Sequence, residues 1–181
     1  NAFKVTRIVT VTGTWASGGN VNSARGHGGG AGNSSSANLL FGGQTAGNST
    51  VALTENYNGT AWSEVADLNQ AQHYISGTGS STAAIVAGGN RVSTPGGNYS
   101  ANAETWDGSS WTEVANLTTG RAENSGGGTQ TAAYGAGGYI PGSGNSNGTE
   151  NYDGTNWTTS GNIPAARRSG RGSGTQTDGI M

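Results

Sequence analysis

The chain has 181 residues, enough for one domain of ordinary size, and carries a net charge of only −2, with one Lys beside seven Arg. No basic stripe exists for a nucleic-acid backbone to follow, no apolar run approaches the ~20 residues of a membrane span, and without cysteine neither disulfides nor thiolate metal sites are available. Gly fills 35 positions and only 31% of residues are hydrophobic, a composition that would suit disorder if the net charge were high; the low charge, five Trp and six Tyr instead indicate packed rings.

Read from the start, residues 4–11 alternate β-branched and polar side chains, as a strand does, and lead to Trp15. The chain opens on Asn1, as a processed or truncated chain would, and shows no signal peptide. A polar loop with Arg25 follows, then the glycine-rich stretch 26–32. That stretch lacks the Lys-Ser/Thr and the helix of a phosphate loop and is read as a tight or flexible loop. Leu39-Leu40-Phe41 is a short apolar run closed by Gly42-Gly43, the pattern of a buried inner strand. Next come Glu55-Asn56-Tyr57-Asn58-Gly59-Thr60, then Trp62, Leu68 and a polar loop with Gln72.

The same order then recurs. An apolar run from Ala83 to Ala87 closes on Gly88-Gly89 and is followed by Glu104-Thr105-Trp106-Asp107-Gly108, Trp111, Leu117 and Arg121. A third copy carries Gly137-Gly138, Glu150-Asn151-Tyr152-Asp153-Gly154, Trp157, Ile163 and Arg167. Trp15, Trp62, Trp111 and Trp157 are spaced 47, 49 and 46 residues apart, and the other markers keep step with them, including Gly128-Thr129-Gln130-Thr131 and Gly174-Thr175-Gln176-Thr177. Four ordered markers define an internal repeat of about 47 residues. The pairs Asn58-Gly59, Asp107-Gly108 and Asp153-Gly154 predict two-residue type I′ hairpins. That loop pairs Tyr57 with Thr60 and Glu55 with Trp62, and places Tyr and Trp diagonally on one face. Each unit then holds four short strands, and no helical period occurs anywhere.

These units resemble the kelch repeat: a double glycine closing an apolar strand, then Glu-x-Tyr-Asp, then Trp, as in Ala87-Gly88-Gly89, Glu104-Thr105-Trp106-Asp107 and Trp111. The turn between Tyr and Trp is about two residues shorter than in the common kelch form. The richness in Gly, Asn and Thr looks like the kelch-like repeats of phage virion and tail proteins, marine phages especially, and of some bacterial surface proteins. The resemblance implies an all-β propeller of about four four-stranded antiparallel blades. The chain ends inside its fourth copy, so the expected closure is by the N- and C-terminal strands of one shared blade or by oligomerisation.

Candidate sites weigh mostly toward structure. Glu55, Glu104 and Glu150 recur once per repeat, which marks a hydrogen-bonding part inside each blade better than a glycosidase pair. Asn58, Asp107 and Asp153 are explained by their turns before any Ca²⁺ is invoked. His27 and His73 fall close together in the repeat frame, lack a carboxylate cluster, and are read as surface loop residues. Arg167, Arg168 and Arg171 form a small basic cluster read as a solvated loop, with Arg167 matching Arg121 in the repeat. The copper chemistry of kelch oxidases needs a Cys-linked Tyr and does not carry over. The Asn-x-Ser/Thr triplets follow from composition.

The expectation is therefore a non-enzymatic structural or adhesive propeller of a phage virion, outside the cell, with no cofactor and no metal. Its expected partners are other virion or surface proteins, copies of itself, or surface glycans, with no nucleic acid and no membrane insertion. The alternative is a carbohydrate-binding module of a secreted bacterial protein. That reading asks for exposed loop rings, for which Tyr74, Tyr99 and Tyr139 are the candidates.

Overall fold

A computed structural model describes residues 18–91 and 98–180. Trp15 and the expected strand at 4–11 lie outside the described residues, as does part of the long loop of the second repeat. The fold is all-β: the described residues contain strands, turns and isolated bridges, and no helix.

Three four-stranded antiparallel sheets follow one another along the chain. The first holds β2 (Gly29–Ser34), β3 (Ala37–Phe41), β5 (Thr54–Tyr57) and β6 (Trp62–Val65), in that spatial order. The second holds β7 (Ser76–Gly79), β8 (Ala84–Ala87), β9 (Ala103–Trp106) and β10 (Trp111–Val114). The third holds β11 (Ser125–Thr129), β12 (Ala132–Ala136), β15 (Thr149–Tyr152) and β16 (Trp157–Thr159). Two small ribbons complete the set. One joins β1 (Arg25–Gly26) to β4 (Gln44–Thr45), the other β13 (Tyr139–Ile140) to β14 (Gly144–Asn145).

Here the strand order corrects one expectation. The apolar runs are the second strands of their sheets; the innermost are the glycine-rich β2, β7 and β11, which pack on one another. Crowding explains the glycine. A Cβ at Gly77 would lie 2.3 Å from the Phe41 ring, and one at Gly126 would lie 2.3 Å from Ser76 Oγ. The fourth repeat joins this inner layer: Gly128 N–H donates to Gly174 O at 2.9 Å, and Ser173 bridges to Ile180.

Strand alternation makes the core. In β8, Ala84 and Val86 face a cluster with Leu39, Phe41, Leu68, Trp106 and Trp111, while Ile85 and Ala87 face one with Leu117, Ala133, Tyr152 and Trp157. The middle sheet is thus buried on both faces, which is why its apolar run is continuous rather than alternating.

The hairpins also differ from expectation. Each loop has four residues, and Tyr57 pairs directly with Trp62, Trp106 with Trp111, and Tyr152 with Trp157. Ring centroids are 5.1, 5.4 and 5.2 Å apart. Only the glycine of each pair has positive φ. Asn58, Asp107 and Asp153 instead turn their side-chain oxygens onto the two N–H groups that close the loop, at 2.7–3.0 Å. Those bonds hold the Asp107 carboxyl down at about 2. A side chain that caps the turn itself removes the need for a second left-handed residue, so the loop lengthens by two.

Trp111 and Trp157 are buried, as expected, but Trp62 is only half-buried. Trp111 packs edge-on to Phe41 and donates to Thr54 Oγ1, both in the preceding sheet. Trp62 has no preceding sheet among the described residues to meet.

Candidate functional site

The repeat motif resolves into a stitch between sheets. Gly42-Gly43, Gly88-Gly89 and Gly137-Gly138 all have positive φ, and their second N–H groups donate to the carbonyls of Gln72, Arg121 and Arg167 from the next repeat at 2.8–2.9 Å. Only glycine fits: a Cβ on Gly88 would stand 2.6 Å from Arg121 O.

The side chain at this stitch turns forward into its own sheet. Arg121 is buried against Glu150 at 2.6 Å and also donates to the carbonyls of Gly137 and Gly148. Arg25 pairs with Glu55 in the same way, both side chains fully buried. Burial pushes the Glu55 carboxyl up, but Arg25 and the N–H groups of Asn22 and Ser23 outweigh it and hold the group below the usual carboxylate range. In the second repeat the partner is Gln72, and the pair is not made. Glu104 accepts from Asn69 on one oxygen, while its other oxygen and both polar atoms of Gln72 are buried without a partner. The three motif glutamates are thus structural acceptors.

The GTQT segments have a matching task that the sequence did not reveal. Gln130 donates to the Ala84 and Trp106 carbonyls, and Gln176 to those of Ala133 and Tyr152, so each glutamine clamps two strands of the preceding sheet.

One position in the repeat behaves differently. His27, Tyr74, Glu123 and Ser169 are spaced 47, 49 and 46 residues apart, in step with the tryptophans, and all four are left-handed, with φ of 58, 54, 58 and 56°. Their main chains link one repeat to the next: Tyr74 N–H to His27 O, Glu123 N–H to Tyr74 O, and Ser169 N–H to Glu123 O, at 2.8–2.9 Å. Elsewhere glycine fills nearly every left-handed position of the described chain. A non-glycine residue there costs roughly 1 kcal/mol or more. Four equivalent positions therefore bear strain to display four different side chains.

Those side chains line one mouth, a cavity of about 420 Å³ that Arg171 also borders. It opens over a space lined by the glycine-rich inner strands β2, β7 and β11 and by residues 170–174 of the fourth repeat. The Tyr74 ring lies between two imidazoles, with centroids 4.3 Å from His27 and 4.8 Å from His73. His73 is buried and hydrogen-bonded to Thr50 at 3.0 Å, which corrects its reading as a surface residue. Its imidazole sits below the usual range, first through burial and then through the charge of His27. Across the mouth, Glu123 accepts from the Ser169 hydroxyl and meets Arg168 at 3.6 Å. Arg168 lies 5.2 Å from the centre of the Tyr139 ring, and Tyr139 is 5.4 Å from Tyr99. Tyr74, Tyr99 and Tyr139 are all half-buried, and of the three only Tyr74 lines this opening. His27 lines it as well, while His73 is buried beside Tyr74; among the described residues no group of three His, Asp or Glu side chains forms a metal set. The sequence named the tyrosines and histidines individually; that His27 and Tyr74 share one rim with Glu123 and Ser169 follows only from the stitching of the repeats.

No family model matches the chain, and no curated protein sequence matches it.

Proposed function

We propose that the chain is a kelch-like β-propeller that works by contact: a structural and adhesive module of a phage virion that meets the host surface through the mouth formed by His27, Tyr74, Glu123 and Ser169. The row of left-handed residues carries this reading. The positions that carry the double-glycine stitch and the hairpin turns are the same, or nearly so, from copy to copy. This position differs in every copy and bears backbone strain, the signature of side chains retained for what they touch. A surface repeated around a ring suits multivalent attachment, where weak contacts add through effective concentration.

The test replaces all four residues with glycine and displays the chain in many copies on beads against a panel of bacterial envelopes. Glycine keeps the main-chain links and relieves the left-handed strain, so the variant stays folded with an unfolding midpoint no lower than the parent. Retention on the envelopes is lost. A four-glycine variant that binds as well as the parent would sink the proposal.

A further inference from the structure

Below the mouth the space narrows to a neck of about 200 Å³. The repeat-equivalent residues here are Gly29, Ser76, Ser125 and Arg171, so the fourth copy places an arginine where the others have small residues. Arg171 lines both the neck and the mouth.

The charge at this junction marks it for an anionic ligand. Arg25 and Arg121 are committed to buried ion pairs and Arg168 to Glu123, whereas Arg171 has no ion-pair partner among the described residues. Glu123 is already offset by Arg168, so the cavity carries one uncompensated positive charge on a chain whose net charge is −2. Beside it, Ser125 is 2% exposed with its Oγ unpartnered, and Asn124, 6% exposed, has both amide atoms unpartnered. Both line the neck. A buried polar group left without a partner costs about 1–3 kcal/mol, but these atoms are shut away from the neck, with the Asn124 amide lying between Gly88 and Gly135, so the group that meets a ligand there is Arg171.

We propose that mouth and neck together bind one acidic sugar unit of a surface glycan, a carboxylated pyranose. The carboxylate enters the neck, where the Arg171 guanidinium donates to it. The sugar ring lies at the mouth against Tyr74 and His27, and Glu123 accepts from ring hydroxyls. A bare anion would leave most of the 420 Å³ mouth unfilled, and a neutral sugar would leave the Arg171 charge unmatched. This inference rests on the contact function proposed above and names its ligand.

The experiment titrates the whole chain with trigalacturonate, a glucuronate-terminated disaccharide and sialyllactose, with maltotriose and inorganic phosphate as comparisons. At least one acidic saccharide binds, the binding weakens with added salt, and affinity falls tenfold or more in R171A and in Y74A while R171K retains part of it. Arg171 is exposed, so R171A keeps the parent's unfolding midpoint. Equal binding of maltotriose overturns the acidic specificity, and equal binding of phosphate reduces the neck to a plain anion site and overturns the sugar. Binding of none of the five overturns this inference alone; the envelope-retention assay with the four-glycine variant judges the contact function separately.

Discussion

Arg121 and Glu150 form a buried ion pair at 2.6 Å, and the equivalent residues one repeat earlier, Gln72 and Glu104, do not pair. The comparison is internal to one molecule, with the same backbone stitch on both sides. Gln72→Arg should therefore stabilise the protein by roughly 1–3 kcal/mol, since it supplies partners to a buried carboxylate that has one oxygen unsatisfied. Arg121→Ala should cost about 3–5 kcal/mol because it leaves Glu150 buried and unpaired. Denaturant midpoints of the two variants measure both. If Gln72→Arg stabilises equally in a Glu104→Gln background, the gain does not come from the pair.

The tryptophans should separate by position. Trp111→Ala removes a buried ring that touches Phe41 and Thr54 of the neighbouring sheet, at an expected cost of about 3–5 kcal/mol. Trp62→Ala removes a half-buried ring and should cost about 1–2 kcal/mol. Similar losses at unchanged denaturant slope would show that Trp62 is packed as deeply as Trp111.

Gly88→Ala should be among the costliest single-methyl additions in the chain. It combines a φ of +78° with a Cβ 2.6 Å from Arg121 O, and several kcal/mol of destabilisation is expected. Gly47→Ala meets nothing within 4 Å and should be neutral or stabilise by a few tenths to about 1 kcal/mol. Thermal unfolding of the pair, read side by side, checks the assignment of the double glycine to the stitch.

Acid should weaken the fold in two stages. The His73 imidazole is lowered in the folded state, so the unfolded chain binds more protons once the pH drops below about 6.5, and stability declines from there toward the lowered folded value. His73→Asn, which takes up no proton, should flatten the slope that begins below about pH 6.5. Glu55, Asp107 and Asp153 are all lowered, so the stability they contribute is present above about pH 4.5 and is lost as pH falls further. An unfolding midpoint constant from pH 8 to 5 in the parent would contradict the first stage.

The repeat, the all-β class, the four-stranded units and the burial of Trp111 and Trp157 were legible in the sequence, because periodic side chains report periodic packing. The loop length was not. Asn-Gly and Asp-Gly serve two different turns, and only the capping contacts of Asn58, Asp107 and Asp153 choose between them. Nor was the inner layer legible. Apolar runs announce burial, but a glycine strand buried against other glycine strands has no side chains to announce it. The mouth escaped for a related reason: His27, Tyr74, Glu123 and Ser169 share no chemistry, so alignment by residue type skips the one column they have in common. Backbone handedness, visible only in three dimensions, brings that column out.

That column has a practical reach. Its residues are held in place by amide and carbonyl groups that every amino acid except proline possesses, so identity at one address can change without undoing the links to its neighbours. The four addresses are thereby free to differ on a backbone that repeats, and an engineer can rewrite the same four letters as a small combinatorial library.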